Sequence, residues 1–399
     1  MSPPLNVFSH ARERRQPLGF SLGGYLRSLD WILLGATLAL ATFGMFMLYS
    51  ATHLDTNIST PFYYVRSQAV GLVLGIVLLL MISIANYRWL ARWRTYIYLA
   101  TLAMLVVTLV VGSGGSEVGA NRWIQLPFFR LQTSELAKLL LTISLAGVLA
   151  EGVALRHRLR FVLLCVLYVL VPTALVFLQP DLGSALVFGA ILAVMLVVWG
   201  IRIPHLGIIA GASVLAVVMV LRVLPSAFGV HLLKDYQLKR LTLFLDPDKD
   251  PSGLGYQLSQ SKIAVGSGMF TGKGYLEGTQ THLNFLPAHH TDFIFAVIGE
   301  ELGFMGALLL LALFGVIIWR ALRIARLSED MFGRLIAAGI SGILIFQVFV
   351  NIGMTIGIMP VTGIPLPFVS FGSSSLVVFL MAIGLLESVH VHSVAGQAK

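Results

Sequence analysis

The chain has 399 residues, of which 57% are hydrophobic and only 11% charged, against about 25% charged in ordinary soluble domains. That composition excludes a water-soluble globular protein, and the formal net charge of +9 needs no nucleic acid to explain it, because the cations gather in loops between apolar runs. One cysteine, Cys165, excludes an intrachain disulfide, and no Cys/His group has zinc spacing: His289 and His290 are adjacent, while His390 and His392 lie in a tail.

Apolar runs near the length of about 20 residues that crosses a bilayer predict ten spans, at 31–50, 69–86, 95–112, 134–150, 161–178, 183–200, 205–224, 292–318, 335–358 and 367–387. The fold class is an all-α polytopic membrane protein of about ten transmembrane helices, with a large extracytoplasmic loop, 225–291, between spans seven and eight. Arginines orient it. Arg12, Arg14, Arg15 and Arg27 precede the first span, and Arg88, Arg92 and Arg94 separate the second and third. Arg156, Arg158 and Arg160 separate the fourth and fifth, Arg202 follows the sixth, and Arg320, Arg323, Arg326 and Arg334 follow the eighth. By the positive-inside rule both termini are cytoplasmic, and the loops at 51–68, 113–133, 225–291 and 359–366 face outward. Residues 1–30 and 388–399 then form cytoplasmic tails around one membrane domain, 31–387, with no internal repeat. The N-terminus lacks a cleavage pattern, so the first span is expected to stay as a signal anchor.

Four outward segments are more polar than membrane anchoring requires. The first runs from Gly119-Ala-Asn-Arg-Trp-Ile to Gln132-Thr-Ser-Glu-Leu-Ala-Lys138. Here Ser134 is expected to cap a helix, Glu135 suits its first turn, and Glu135 and Lys138 can pair at i, i+3 or face a substrate. Arg122 beside Trp123 suits the membrane interface and a phosphate. The second is Leu178-Gln-Pro-Asp-Leu-Gly-Ser184, where Asp181 reads first as a helix cap. The third holds Gln257 in Gly255-Tyr-Gln-Leu-Ser-Gln-Ser-Lys262, then Gly266-Ser-Gly-Met-Phe-Thr-Gly-Lys-Gly274 with Lys273. Its spacing fails the nucleotide-binding G-x-x-x-x-G-K-[ST] pattern, and helices lying in the interface and lining a cavity are expected instead. The fourth runs from Asn351-Ile-Gly-Met to Pro360-Val-Thr-Gly-Ile-Pro-Leu-Pro-Phe-Val-Ser-Phe-Gly-Ser-Ser-Ser375. Irregular backbone at this depth must line a cavity or be satisfied by protein. Ser373 and Ser374 read equally as ligand contacts and as small-residue helix packing.

The most informative stretch is Asn284-Phe-Leu-Pro-Ala-His-His-Thr-Asp-Phe-Ile-Phe, running on to Gly299-Glu-Glu-Leu-Gly. It puts Asp292, next to His290 and Thr291, where a polar loop enters an apolar helix, with Glu300 and Glu301 deeper inside. Acids at such depth need a partner, a cavity or a bundle interior, and intramembrane ionisable groups point to function.

Arg122-Trp123, Ser134-Glu-Leu-Ala-Lys138, Gln179-Pro-Asp181, Phe285-Leu-Pro287, His290-Thr-Asp-Phe-Ile-Phe295 and Gly299-Glu-Glu-Leu-Gly303 resemble, in order, the motifs of the shape, elongation, division and sporulation (SEDS) family of bacterial cell-wall proteins. The likeness covers about Asp30 to Glu387, and the family's ten-helix core matches the span count. Gly278-Thr-Gln280 and Val361-Thr-Gly-Ile-Pro-Leu-Pro367 look like its elongation member. The chain departs from that member at Ala288-His289, where Glu-Arg is usual, and at Phe371-Gly-Ser-Ser-Ser375, where Tyr-Gly-Gly-Ser-Ser is usual.

The resemblance implies a peptidoglycan glycosyltransferase of the cytoplasmic membrane that polymerises lipid II at its outer face. Inversion by single displacement needs a general base, which by resemblance is Asp292, and cations at the departing diphosphate. Arg122 is the first choice for that cation, followed by Lys138 and Lys273. Glu135, Trp123, Asp181, Gln257, His290, Thr291, Ser373 and Ser374 complete the candidate substrate-binding set. Burial would raise the Asp292 pKa and a place in the first helical turn would lower it. A divalent cation (Mg or Mn) on the diphosphate fits this chemistry, without a protein carboxylate cage. Expected partners are a class B penicillin-binding protein, acting as the elongation transpeptidase, and other membrane proteins of the elongation complex. The rivals are a lipid II flippase and a non-catalytic scaffold.

Overall fold

The computed structural model describes residues 22–53, 62–113, 122–125, 130–223, 225–226, 235–244, 246–247, 250, 253–283 and 285–397. Arg12, Arg14, Arg15, the Gly119–Asn121 part of the first polar segment and Asn284 lie outside the described residues. In chain order the first elements are α1 (Leu22–Ser28), α2 (Trp31–Thr52), α3 (Tyr63–Ile84), α4 (Arg88–Arg92), α5 (Arg94–Val111), β1 (Trp123–Gln125) and β2 (Arg130–Gln132). Then come α6 (Thr133–Glu151), α7 (Leu159–Leu178), α8 (Leu182–Trp199), α9 (Ile203–Val218), α10 (Asp235–Thr242), α11 (Leu254–Ser267) and α12 (Thr279–His282). The chain closes with α13 (Ile294–Leu327), α14 (Met331–Thr355) and α15 (Ser373–Gln397).

Among the described residues nine of these helices, α2, α3, α5 to α8 and α13 to α15, are long and apolar enough to cross a membrane. The tenth predicted span, 205–224, is the 16-residue apolar helix α9 running into a π-helical turn, Met219–Val223. The last span differs most from its expected bounds. Residues predicted helical from 367 onward are non-helical until Ser373, and the helix then continues to Gln397 through the expected tail. The late start has a local cause past Pro367: Phe368 takes φ of +65°, and the Phe371 amide donates to His290 O at 2.9 Å.

Lipid is as apolar as leucine, so what packs these helices is close fit rather than burial from water. Helix α3 shows the device: a Cβ on Gly71 would lie 2.9 Å from Ser373 Cβ, and one on Gly75 would lie 2.4 Å from Leu380 Cδ1. Helices α6, α14 and α15 form the interior, and they carry the buried polar residues Glu135, Lys138, Gln347, Asn351 and Glu387. One end of the bundle is tied by charges, with Arg320 Nε 2.6 Å from Asp30 Oδ2 and Arg88 bonded to Asp330 and Glu329. The polar motifs of the sequence assemble at the other end.

Helix α13 bends at Gly303, whose φ of +62° and ψ of −157° are open to glycine and strained for other residues. The glycine-rich segment after α11 takes up the backbone groups that the bend frees. Lys273 and Gly274 amides donate to the Glu300 and Glu301 carbonyls at 3.0 Å each, and the Phe304 amide donates to Met269 O at 3.0 Å. Glycines allow the approach, because a Cβ on Gly268 would fall 1.8 Å from Gly299 O. A run that superficially resembles a phosphate loop is a clamp on a broken helix.

Candidate active site

Asp292 lies two residues ahead of α13, whose N-cap is Phe293, so it is outside the first helical turn where the sequence suggested it. The local cause is at Ala288, which has φ of +54° and whose carbonyl accepts the amides of Thr291 (3.1 Å) and Phe293 (3.3 Å). The chain closes in tight turns there before helical geometry begins. Those turns are bolted to the proline-rich segment. Asn351 Nδ2 donates to the carbonyls of Asp292 (3.0 Å) and Ile364 (2.8 Å). Ser370 Oγ donates to Thr291 O at 2.6 Å, and the Phe371 amide donates to His290 O at 2.9 Å. The His290 ring rests against Tyr64, with centroids 4.6 Å apart. Irregular backbone is thus satisfied by protein, as its depth demands.

The Asp292 side chain itself makes no hydrogen bond or ion pair among the described residues and is half-buried. Burial raises its pKa above the ordinary carboxylate value, more than the nearby Arg240 and then Arg122 lower it, and Asp181 pushes it the same way as burial. Asp181 behaves oppositely. Burial alone would raise it, yet Arg122, the Ser184 amide, the Ser134 hydroxyl and Lys138 together bring it below the usual value. Two carboxyls with environments that push them apart suit one proton acceptor and one fixed anion.

Asp181 caps α8 as the sequence suggested, its Oδ1 accepting the Ser184 amide at 3.1 Å. Ser134 does not cap α6. The cap position is Gln132, without a side-chain bond, and the Ser134 hydroxyl instead donates to Asp181 Oδ2 at 2.8 Å. The helix starts at Thr133 because the β1–β2 hairpin delivers extended backbone up to Gln132. Trp123 pairs with Gln132 in that hairpin, which fixes Arg122 just ahead of it. The Arg122 guanidinium donates to the carbonyls of Gln179 (3.2 Å) and Pro180, so it is held against the turn that carries Asp181.

Lys138 Nζ lies 2.6 Å from Glu135 Oε1, both side chains almost wholly buried, and Ser375 Oγ lies 3.3 Å from the other carboxylate oxygen. Ser374 Oγ accepts the Gln132 amide at 3.0 Å, while Ser373 packs under Gly71. These groups form the floor that ties α6 to α15. Lys273 belongs to the clamp on α13: its Nζ is 2.6 Å from Glu300 Oε1 and 2.7 Å from Thr279 Oγ1. The charged groups that act on Asp292 are Arg240, Arg122 and Asp181. Glu301 accepts two short contacts from Ser50 Oγ, 2.6 and 2.7 Å. Gln257 sits half-buried on α11, whose Ser261 ties to Thr355 O at 2.8 Å.

The structure therefore brings together Asp292, Arg122 and Asp181, places Glu135, Lys138, Ser134 and Ser374 beneath them, and keeps Lys273 apart. Two residues were not singled out as site residues. Asn351 holds the Asp292 backbone, and Arg240 of α10 approaches its carboxylate. Asn351 had a visible signal, an amide in an apolar span beside the proline-rich turn. Arg240 had none, being one of several cations in a long loop. Among the described residues no three His, Cys, Asp or Glu side chains converge as metal ligands.

A bundle of apolar helices with a free carboxylate among arginines at one end defines a polytopic membrane protein with a charged site at the bundle mouth. The chain belongs to the cell cycle protein family of FtsW, RodA and SpoVE, which it matches over residues 30–395, in agreement with the resemblance of its motifs. It is 38% identical over 365 residues to the peptidoglycan glycosyltransferase MrdB of Escherichia coli K12, covering 91% of this chain and 94% of that one. It is 36% identical over 372 residues to the stage V sporulation protein E of Bacillus subtilis, covering 92% and 98%. Its fold is like that of a chain in a peptidoglycan synthase complex that coordinates polymerisation and crosslinking, with TM-score 0.76, 33% identity and 92% and 98% coverage. It is also like the rod shape determining protein RodA of Thermus thermophilus, with TM-score 0.64, 30% identity and 91% and 96% coverage.

Proposed function

We propose that this chain is a peptidoglycan glycosyltransferase that joins lipid II units into glycan strands at the outer face of the bacterial cytoplasmic membrane. The observation that carries the reading is the Asp292 carboxylate: raised in pKa, unbonded among the described residues, and held by its backbone next to Arg122 and Arg240. A general base needs a free acceptor oxygen and a pKa drawn toward the working pH. In the step, the hydroxyl of the acceptor sugar attacks the anomeric carbon of the donor and passes its proton to Asp292. The bond from that carbon to the diphosphate oxygen breaks, and the electron pair leaves with the undecaprenyl diphosphate. One displacement converts an α-linked donor into a β-1,4 link. Arg122 answers part of the new negative charge with the donors it does not spend on the Gln179 and Pro180 carbonyls.

Asp181, kept ionised by Arg122 and Ser134, follows the turn whose Gln179 and Pro180 carbonyls position that arginine. Lys138 and Glu135 neutralise each other beneath it. A divalent cation (Mg or Mn) carried on the diphosphate of the substrate would fit this chemistry by screening its oxygens. The Gly278-Thr-Gln280 and Val361–Pro367 motifs, together with the likeness to RodA, favour a role in cell elongation, working beside a class B penicillin-binding protein. The arginine-rich loops favour cytoplasmic termini with the Asp292 end outside. Purified protein given lipid II and scored for glycan polymer tests the reading. Translocated lipid II without polymer would support the flippase alternative.

A further inference from the structure

Arg240 reaches the site from outside the bundle. It lies on α10, an eight-residue helix of the long loop, on which Gln237 is buried, with Leu243 buried just past its end. Its Nη1 lies 3.0 Å from the point where a Cβ on Gly363 would sit, and Asp292 Oδ2 lies 3.2 Å from the same point. Guanidinium and carboxylate thus flank a position with no side chain. Gly363 also has φ of +70°, so the gap is kept open by a residue that other L-amino acids replace only with strain. Among the described residues the Arg240 side chain forms no salt bridge within 4 Å, with Asp292 or any other acid, and no hydrogen bond. By contrast Arg122 is tied to two carbonyls, Lys138 to Glu135 and Lys273 to Glu300. One arginine in the mouth keeps its whole fork for a ligand.

We propose that Arg240 binds the phosphate oxygens of the departing polyprenyl diphosphate across the Gly363 gap from Asp292. This rests on the glycosyltransferase reading and adds a residue to it. When the bond to the anomeric carbon breaks, the diphosphate gains one unit of negative charge while Asp292 gains a proton. A planar fork of donors fits two phosphate oxygens at once, which an ammonium cannot do. Because α10 belongs to the loop between α9 and α13, anything that moves that loop moves the cation with it.

The experiment compares purified wild type with Arg240→Ala and Arg240→Lys, using lipid II as substrate and undecaprenyl diphosphate as competing ligand. Arg240→Ala should lose about 10²–10³-fold in kcat, the usual cost of one donor at a developing anion, and should be inhibited far less by undecaprenyl diphosphate. The charged groups that act on Asp292 are Arg240, Arg122 and Asp181. Removing Arg240 should therefore move the acidic limb of the rate profile to higher pH, whereas Arg240→Lys should keep the limb and recover only part of kcat. A role confined to docking α10 would lower thermal stability and leave kcat and undecaprenyl diphosphate inhibition of the folded fraction unchanged, whatever the limb does, which overturns the proposal. If wild type makes no glycan, the polymerase reading fails separately. Undecaprenyl diphosphate binding then still decides, and equal affinity in wild type and Arg240→Ala refutes the role.

Discussion

Replacing Asp292 by asparagine separates chemistry from architecture more cleanly than any other single change. The amide keeps the shape of the side chain but cannot take a proton in the transition state, a loss of about 10²–10⁴-fold, or about 3–5 kcal/mol of barrier. The fold has little reason to notice, because what anchors residue 292 is its carbonyl, held by Asn351 Nδ2 at 3.0 Å, while its carboxylate makes no hydrogen bond among the described residues. The sign of the stability effect follows from the raised pKa. A carboxyl whose folded-state value lies above its unfolded value of about 3.9 is held more readily as the neutral acid, so its ionised form costs stability as pH climbs past that point. A neutral amide at this position removes that cost, and the thermal midpoint at neutral pH should stay level or rise slightly. The assay is glycan polymer formed from lipid II by matched amounts of folded wild type and Asp292→Asn, with thermal unfolding in detergent alongside. Turnover close to wild type would remove Asp292 from the mechanism. A clear drop in stability would make it a structural residue.

Three further outcomes are expected. Polymerase rate should fall on acidification through a limb above the ordinary carboxylate range, because burial raises Asp292 and the ionised form is the active one; a pH profile with its limb near 4 or lower would contradict this. Lys138→Met, which leaves the buried Glu135 carboxylate without its cation, should cost about 3–5 kcal/mol of stability, and adding Glu135→Gln should restore most of it, as thermal unfolding of the two variants would report. Thr279→Cys should react with an impermeant thiol reagent from outside intact cells, and His157→Cys at an exposed site at the opposite end should not; reversed labelling would put Asp292 on the cytoplasmic side.

The spans were legible because a bilayer demands long apolar runs, and α5 to α8 fall within two residues of their expected bounds. The Asp181 cap was legible too, since an acid ahead of a helix has a local job. Ser134 misled for the same reason: its local pattern reads as a cap, but a tertiary acceptor, Asp181, captured the hydroxyl. The glycine-rich run resembled a ligand loop because close backbone approach looks alike in sequence whether the neighbour is a phosphate or the bent helix at Gly303. Asp292 stood out as an acid at an apolar boundary. Its geometry did not, because that depends on contacts with Asn351 and Ser370, about 60 to 80 residues away. Arg240 was hidden for a similar reason, as nothing local distinguishes it from other loop cations until Gly363 brings it opposite the carboxylate.

The likeness to a chain of a peptidoglycan synthase complex supports a penicillin-binding partner. The most direct test of the glycosyltransferase reading reconstitutes the purified protein in liposomes carrying lipid II and resolves the products by length. The expected result is a ladder of glycan polymer that depends on Asp292 and appears with or without an inactivated class B transpeptidase, increasing in its presence. Lipid II crossing the bilayer with no ladder under either condition would contradict it.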